Sequence, residues 1–206
     1  MNFTQIESLI TLSQESLPDS WLEGLQQEYG EHHNYYRFLY HLLQTRKPKV
    51  ALEIGVYQGV ASAYMSAAAL TYGGRVIGID INLPHIGLQA INERYNNYHF
   101  ILGDSTKAET WNQVYNLAEE HGKIGVVYQD SSHHYTASCQ EWEMYTRLLD
   151  EGAVWICDDI TPSFHDPLID PPGFGMVQYF NSLPGSKRLY KDVLHFGNTQ
   201  GIILPP

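Results

Sequence analysis

The sequence predicts an α/β protein built on a doubly wound, mostly parallel sheet of seven strands, with a C-terminal antiparallel hairpin and extra N-terminal helices. Three observations lead to this prediction. Five short apolar runs, typical of buried strands, alternate with stretches whose apolar residues recur at helical spacing. Each run ends in or beside polar residues, as strands do at the ligand-binding edge of an open parallel sheet. Two further strand-like runs flank a turn signal at Gly197-Asn198.

The elements follow in a regular order along the chain. Two or three leading helices are predicted over residues 4–46, broken at Pro18 and Gly30. The strand-like runs cover residues 50–55, 75–80, 98–102, 124–128 and 153–157, and the closing hairpin covers 188–196 and 201–204. The helical stretches after the first strand cover residues 61–70, 86–95, 110–121, 137–149 and 176–183. Because such alternating strands join by right-handed crossovers, we expect a Rossmann-like sheet with helices on both faces.

The length and composition predict one domain. A chain of 206 residues with 43% apolar residues can bury one substantial core. Residues 1–47 are expected to form a helical cap, residues 48–160 the ligand-binding core, and residues 161–206 a loop, a helix and the closing hairpin. The leading helices and the loop over residues 161–175, rich in Pro, Gly, Asp and His, are the expected places for substrate contacts.

The charge argues against nucleic acid and membrane partners. A formal net charge of −11 would repel phosphate backbones and anionic lipids. No apolar stretch reaches the roughly 20 residues that a membrane-spanning helix needs, and the first residues lack a secretory pattern. With only two cysteines, the expected compartment is the cytoplasm. Aromatic residues in the leading helices can supply a symmetric contact, so a homo-oligomer is an open expectation.

A glycine-rich turn follows the first predicted strand. The sequence from Glu53 through Gly55 and Tyr57 to Gly59 reads E-x-G-x-x-x-G. Its glycines permit a tight strand-to-helix turn and a close backbone approach to a ligand, and the start of the next helix can accept a carboxylate. The third glycine expected of a nicotinamide site is absent. The alternative is a turn with a purely structural role.

Acidic residues end the second and third predicted strands. Asp80 stands where an acid can accept both hydroxyls of a ribose. Asp104 and Ser105 can read an adenine edge through hydrogen bonds. The alternatives are a helix N-cap at Asp80 and a loop cap at Asp104. The order and spacing of the glycine turn and these acids favour a nucleoside ligand more strongly than any single residue does.

Three further carboxylates end the fourth and fifth predicted strands. Asp130 follows the fourth strand, and Asp158 and Asp159 follow the fifth. Carboxylates that converge at adjacent strand ends repel one another unless a hard cation or protons offset their charge. A cation there can orient substrate oxygens and lower the pKa of a hydroxyl. The alternative is that these acids cap separate surface loops.

Residues 50–160 resemble the class I S-adenosylmethionine-dependent O-methyltransferases, above all the metal-dependent branch with catechol-type, macrolide-sugar and cephalosporin-related enzymes. The resemblance implies that S-adenosyl-L-methionine is held by Glu53, Gly55, Tyr57, Gly59, Asp80, Asp104 and Ser105. It implies that Asp130, Asp158 and Asp159 ligate a divalent metal such as Mg²⁺. Where the family often has Ser shortly after its last glycine, this chain has Ala61 followed by Ser62.

The segment after Asp130 matches the family in part. The family commonly reads Asp-Gly-Asp-His-Ser-Tyr, and here Ser132 replaces the second Asp, which in some sugar-modifying relatives is thought to act as base. A serine cannot serve as that base at neutral pH, so either His133 or His134 takes the proton or the metal alone activates the hydroxyl. For each histidine a structural role is the alternative. His165, in the later loop, is a further candidate for substrate or metal contact.

These residues together predict a methyltransferase that acts on an oxygen of a small hydroxylated molecule, such as a sugar, a phenol or another natural product. S-adenosyl-L-methionine is the expected methyl donor, with Mg²⁺ as the expected metal. One alternative is an adenosylmethionine- or nucleotide-binding protein without methyl transfer, since a fold alone does not settle activity. A nicotinamide oxidoreductase is the other, and the missing third glycine disfavours it.

Overall fold

The computed structural model describes residues 1–14, 33–83, 95–161, 168, 170–191 and 199–206, with backbone only at positions 33 and 34. The helices within these ranges are α1 (Phe3–Leu12), α2 (His33–Arg46), α3 (Val60–Leu70), α4 (Ala108–His121), α5 (Tyr135–Tyr145) and α6 (Met176–Ser182). The strands are β1 (Val50–Ile54), β2 (Arg75–Asp80), β3 (Tyr98–Leu102), β4 (Ile124–Gln129), β5 (Leu149–Cys157), β6 (Ser186–Lys191) and β7 (Thr199–Leu204).

The seven strands form one sheet in the order β3-β2-β1-β4-β5-β7-β6. The first five are parallel to one another, whereas β7 pairs antiparallel with both β5 and β6. All residues of β1 are buried, as expected of a central strand covered on both faces. The chain runs outward from β1 to β3 and then returns to place β4 on the other side of β1. This reversal opens a crevice at the carboxyl ends of β1 and β4, and the predicted fold class is confirmed.

Alternate residues of each central strand belong to two separate apolar clusters, one on each face of the sheet. Ala51 belongs to the cluster that α1, α2 and α3 cover, with Leu39 and Met65 among its members. Leu52 belongs to the cluster that α4, α5 and α6 cover on the other face. The period of two along a strand thus divides its apolar side chains between the two helical layers. Within the described residues, no helix has the length and apolar character needed to cross a membrane.

The predicted helix over residues 137–149 was wrong at its end. Helix α5 stops at Tyr145, a short 3-10 turn covers Thr146–Leu148, and β5 already begins at Leu149. Burial of Leu148 in the apolar cluster turns the chain toward the sheet. In addition, the indole N–H of Trp111 donates to the Met144 carbonyl at 2.9 Å, where a longer helix would place its own N–H group.

Several predicted features lie outside the described residues. These are the leading-helix stretch over residues 15–32, residues 86–94 of the next predicted helix, His165, and the hairpin turn at Gly197-Asn198. The hairpin itself is confirmed by the pairing of β6 with β7 from Ser186 and Leu204 to Lys191 and Thr199.

Candidate active site

A cavity of about 680 Å³ opens where the carboxyl ends of β1, β2, β3 and β4 meet. This volume lies in the range of small-molecule and cofactor sites. The predicted site residues that line it are Gly55, Tyr57, Asp80, Asp104, Ser105, Asp130 and His133. The predicted residues that the structure places outside this lining are Glu53, Gly59, His134, Asp158 and Asp159. The cavity therefore brings together residues from four successive strand ends.

Gly55 lets β1 end directly against β4. Its backbone has a φ of +90°, and a Cβ atom built there would lie 2.0 Å from the carbonyl oxygen of Asp130. A side chain at this position therefore cannot fit without moving the end of β4. The glycine in the first motif sets the narrow gap between the two strand ends that form the centre of the site.

Asp80 ties the glycine-rich turn to the end of β2. Its Oδ2 accepts the backbone N–H groups of Val56 and Tyr57, both at 2.8 Å, and its Oδ1 accepts the N–H of Asn82 at 2.9 Å. A carboxylate oxygen offers two lone pairs, so Oδ1 keeps acceptor capacity beside these bonds. The sequence predicted a ligand-binding acid here, and the structure adds that the same carboxylate orders the turn.

Glu53 lies beneath the turn instead of in the cavity wall. Its side chain is buried and accepts a hydrogen bond from the Ser62 hydroxyl, whose oxygen lies 3.0 Å from the hydroxyl of Tyr98. Burial raises the pKa of Glu53, and the Ser62 hydrogen bond opposes that shift. The structure thus shows Glu53 and Ser62 joining β1 to α3 inside the core, so the predicted cofactor contact of Glu53 stays a prediction.

The three carboxylates at the ends of β4 and β5 meet through shared polar partners. The Tyr128 hydroxyl donates to Asp130 Oδ2 at 2.6 Å and lies 3.3 Å from Asp158 Oδ2. His133 Nε2 lies 3.1 Å from Asp130 Oδ1 and 3.7 Å from Asp159 Oδ2. Within the described part of the chain, no group of three acidic, His or Cys side chains is arranged to hold a metal ion. The metal site stays a prediction.

Asp158 is the carboxylate of this group whose pKa is raised most strongly by its surroundings. Burial, followed by the charges of Asp130 and Asp159, raises the pKa of Asp158 to about 7, against the opposing hydrogen bond that Gln200 donates at 2.8 Å. The Tyr128 hydroxyl has one proton and donates it to Asp130, so its approach to Asp158 is favourable when Asp158 is protonated. A hard cation would relieve the same repulsion, and carboxylate oxygens are the ligands that such a cation prefers.

The two candidate histidines have different surroundings. His133 has a φ of +54° and lines the cavity. Burial lowers the pKa of His133, but the hydrogen bond to Asp130 and the charges of Asp130, Asp159 and Asp158 outweigh it, so the pKa is raised overall. His134 instead precedes α5, with its Nδ1 3.6 Å from Asp170 Oδ2. Of the two, His133 is the one in position to reach a bound molecule.

Helix α2 places Tyr35, one of the aromatic residues of the leading helices expected to supply a symmetric contact between copies, against Tyr128. The ring of Tyr35 meets the ring of Tyr128 edge-on at 5.3 Å between centroids. Burial and then the charges of Asp158 and Asp130 raise the pKa of Tyr35. A run of aromatic residues in a leading helix was the only signal, and it did not indicate which ring would face the strand ends.

The mostly parallel sheet with this strand order and a cavity at its carboxyl edge is a Rossmann-like fold. The family model described as a methyltransferase domain matches residues 52–160. That span is more than half of the 206 residues, so the chain belongs to this methyltransferase family. The match confirms the prediction of a methyltransferase enzyme. A search of curated proteins finds no match.

Solved structures share the fold across nearly the whole chain. An O-methyltransferase from Bacillus cereus, in complex with SAH, is 19% identical with a TM-score of 0.68, covering 97% of this chain and 99% of its own. The tomaymycin-synthesis O-methyltransferase TomG from Streptomyces achromogenes, in complex with SAM, is 13% identical with a TM-score of 0.63, covering 97% and 96%. An SAH-bound methyltransferase from Podospora anserina is 13% identical with a TM-score of 0.59, covering 98% and 88%.

Proposed function

We propose that this enzyme transfers the methyl group of S-adenosyl-L-methionine to an oxygen of a small hydroxylated molecule, with a divalent metal assisting. The observation that carries the proposal is the row of strand ends along one cavity, from Ser105 through Asp80 and Gly55 to Asp130. The B. cereus and S. achromogenes structures, whose own ligands are SAH and SAM, support the choice of methyl donor.

The sheet order dictates how the methyl donor would lie. The strand ends run in the order β3, β2, β1, β4 across the cavity. Ser105 would hold the adenine base, Asp80 the ribose, and Gly55 and Asp130 would border the sulfur-bearing chain. His133, which lines the cavity beside Asp130, would then lie on the acceptor side. Holding acceptor oxygen, methyl carbon and sulfur in line can contribute about 7–11 kcal/mol to lowering the barrier.

His133 is the side chain best placed to remove the acceptor proton. In the neutral tautomer that donates Nε2–H to Asp130, the imidazole carries its lone pair on Nδ1, and that atom would take the proton. Asp130 then stabilises the imidazolium that forms, because their separation is only 3.1 Å. Ser132 has no comparable basicity, so the role falls to its neighbour in the lining.

The carboxylates of Asp130, Asp158 and Asp159 would hold the metal. Their hard oxygens suit Mg²⁺ better than zinc or copper. When bound, such an ion supplies a Lewis acid that lowers the pKa of an acceptor hydroxyl. A small hydroxylated acceptor is favoured for the same reason, since its oxygens match both the ion and the basic His133.

The first prediction tests the methyl donor. Asp80→Asn is expected to weaken binding of S-adenosylhomocysteine by about 1–3 kcal/mol, through loss of charge-assisted hydrogen bonds to the ribose. Isothermal titration calorimetry measures this effect. The matched control is Asp150→Asn, which changes an exposed carboxylate at the start of β5, the opposite end of the strand from the cavity edge. Tight binding of a nicotinamide dinucleotide, with no binding of S-adenosylhomocysteine, would overturn the proposed function.

The second prediction tests the metal. Added Mg²⁺ is expected to raise the melting temperature, because an ion that binds only the folded state stabilises it by about 2.7 kcal/mol at a hundredfold excess over Kd. Asp159→Asn should reduce this shift, whereas Asp150→Asn should leave it unchanged. Equal shifts in the wild type and in Asp159→Asn, together with full methyl transfer in the presence of a chelator, would contradict metal assistance.

A further inference from the structure

A buried carboxylate lies directly behind the adenine end of the cavity. Glu141 of α5 is only 1% exposed, yet it reaches the cavity lining beside Ser105. Its Oε1 accepts the Ser105 hydroxyl at 2.5 Å, and its Oε2 accepts Gln129 Nε2 at 2.6 Å and the Ser131 hydroxyl at 2.9 Å. Methyl transfer as described above gives this carboxylate no task, although a buried charge is costly unless it is well bonded.

The direction of these hydrogen bonds is set from inside the core. The indole N–H of Trp155 can only donate, and it donates to Gln129 Oε1 at 3.0 Å. The Tyr179 hydroxyl donates to the same oxygen at 2.7 Å. The amide of Gln129 is therefore oriented with its NH₂ group toward Glu141, which must accept. The Trp155 and Tyr179 donors thus fix Oε2 of Glu141 as an acceptor, while Oε1 accepts from Ser105 when Glu141 is ionised.

The ionised Glu141 carboxylate sets the direction of the hydrogen bond at the cavity wall, because its Oε1 has no proton and can only accept. A hydroxyl has a single proton, and that of Ser105 is directed at Glu141. What Ser105 presents to the cavity is therefore lone pairs alone. The amino group of adenine is a donor and can bond to them, whereas a hypoxanthine base has a carbonyl oxygen at the same ring position and would be repelled. The same hydroxyl would accept either base if its proton could turn freely.

We propose that Glu141 is a positioning residue for base selection: by holding the Ser105 proton, it makes the site accept an adenine base and reject a hypoxanthine base. This inference rests on the proposed adenosyl methyl donor and adds the residue that makes the site selective. Glu141 acts through Ser105 and does not itself contact the base. A hydrogen-bonding site of this kind discriminates strongly, because the wrong ligand leaves a buried polar group unpaired.

Glu141→Gln tests the inference because the neighbouring amide forces its orientation. Gln129 still presents its NH₂ group, so the new side chain must direct its oxygen there and its own NH₂ group at Ser105. Ser105 then accepts from residue 141 and turns its proton to the cavity. The wild type is expected to bind S-adenosylhomocysteine about tenfold or more tighter than S-inosylhomocysteine, and Glu141→Gln should lower that ratio about tenfold.

Three further variants separate base selection from a general loss of structure. Glu143→Gln, an exposed residue on the same helix, should keep the wild-type ratio. Ser105→Ala should lose most of the discrimination, and adding Glu141→Gln to Ser105→Ala should then change the ratio no further. If Glu141→Gln does not fold, the ratio in Ser105→Ala decides, because unchanged discrimination there overturns the inference.

The outcomes distinguish the two proposals. If wild-type protein binds neither S-adenosylhomocysteine nor S-inosylhomocysteine in calorimetry, both the proposed methyl donor and the proposed base selection are wrong. If the wild type binds both ligands equally, or if folded Glu141→Gln keeps the full preference for S-adenosylhomocysteine, the inference about Glu141 is wrong while the methyl donor stands.

Discussion

Replacement of His133 by Gln is expected to lower the methyl-transfer rate by about 10²- to 10⁴-fold, the usual contribution of a general base. Binding of S-adenosylhomocysteine should stay near the wild-type value, because His133 lies beside Asp130, whereas the proposed contacts to this ligand are at Asp80 and Ser105. Single-turnover kinetics and calorimetry measure the two quantities separately. His134→Gln is the matched control, since that histidine faces Asp170 and lies outside the lining.

The pH dependence gives an independent check on His133. Its pKa is raised, so the imidazole becomes protonated already at a pH where an ordinary histidine is still neutral. In the presence of a chelator, the His133 imidazole should therefore titrate at a higher pH than an ordinary histidine, which NMR spectroscopy measures, and added Mg²⁺ should lower this pKa by offsetting the Asp charges. Wild-type turnover in His133→Gln would exclude His133 as the base and leave activation of the hydroxyl to the metal.

The second large effect concerns Asp158. In the presence of a chelator, Asp158→Asn is expected to increase the free energy of unfolding by on the order of 3 kcal/mol more at about pH 8 than at about pH 5. The asparagine resembles the protonated acid: its NH₂ group can donate to the Tyr128 oxygen while its carbonyl accepts from Gln200. Chemical denaturation of both proteins at the two pH values measures the difference.

The sign follows from the raised pKa of Asp158. The unfolded chain releases this proton at the ordinary carboxyl pKa, whereas the folded protein holds it up to about pH 7. Below its pKa in the unfolded chain, Asp158 therefore does not change the free energy of unfolding. As the pH rises from that value to the folded-state pKa of about 7, Asp158 increasingly lowers the free energy of unfolding. Asp150→Asn, at an exposed position, should show no such difference. If the free energies of unfolding of Asp158→Asn and of the wild type differ by the same amount at both pH values, the raised pKa of Asp158 is contradicted.

Much of the cavity lining at the ends of β1, β2 and β3 could be predicted from local sequence. The strands Arg75–Asp80 and Tyr98–Leu102 begin and end where the apolar runs indicated. Because parallel strands all end at one edge, an acid or a glycine at each end was enough to place the lining residues Gly55, Asp80 and Ser105. This part of the prediction rests on the apolar runs in the sequence and on the parallel order of the strands.

The remaining site residues depend on contacts that no local pattern encodes. Glu141 reaches the cavity because one face of α5 lies over the ends of β3 and β4, where Glu141 accepts hydrogen bonds from Ser105 and Gln129. The rotation of a helix above a sheet is decided by packing of distant side chains, so its inward-facing polar residue was not predictable. Glu53 lies inside the family motif, yet its side chain is buried in the core outside the cavity lining, and its cofactor contact stays a prediction.

The contact between Tyr35 and Tyr128 connects a helix that precedes the sheet to the carboxylate at the end of β4. The edge of the Tyr35 ring packs on Tyr128, and the hydroxyl of Tyr128 donates to Asp130, which lines the cavity. Tyr35 itself is not among the residues that line the cavity. A substitution in α2 can therefore shift the Asp130 carboxylate from a distance, which makes this helix a target for changing the enzyme without altering its cavity wall.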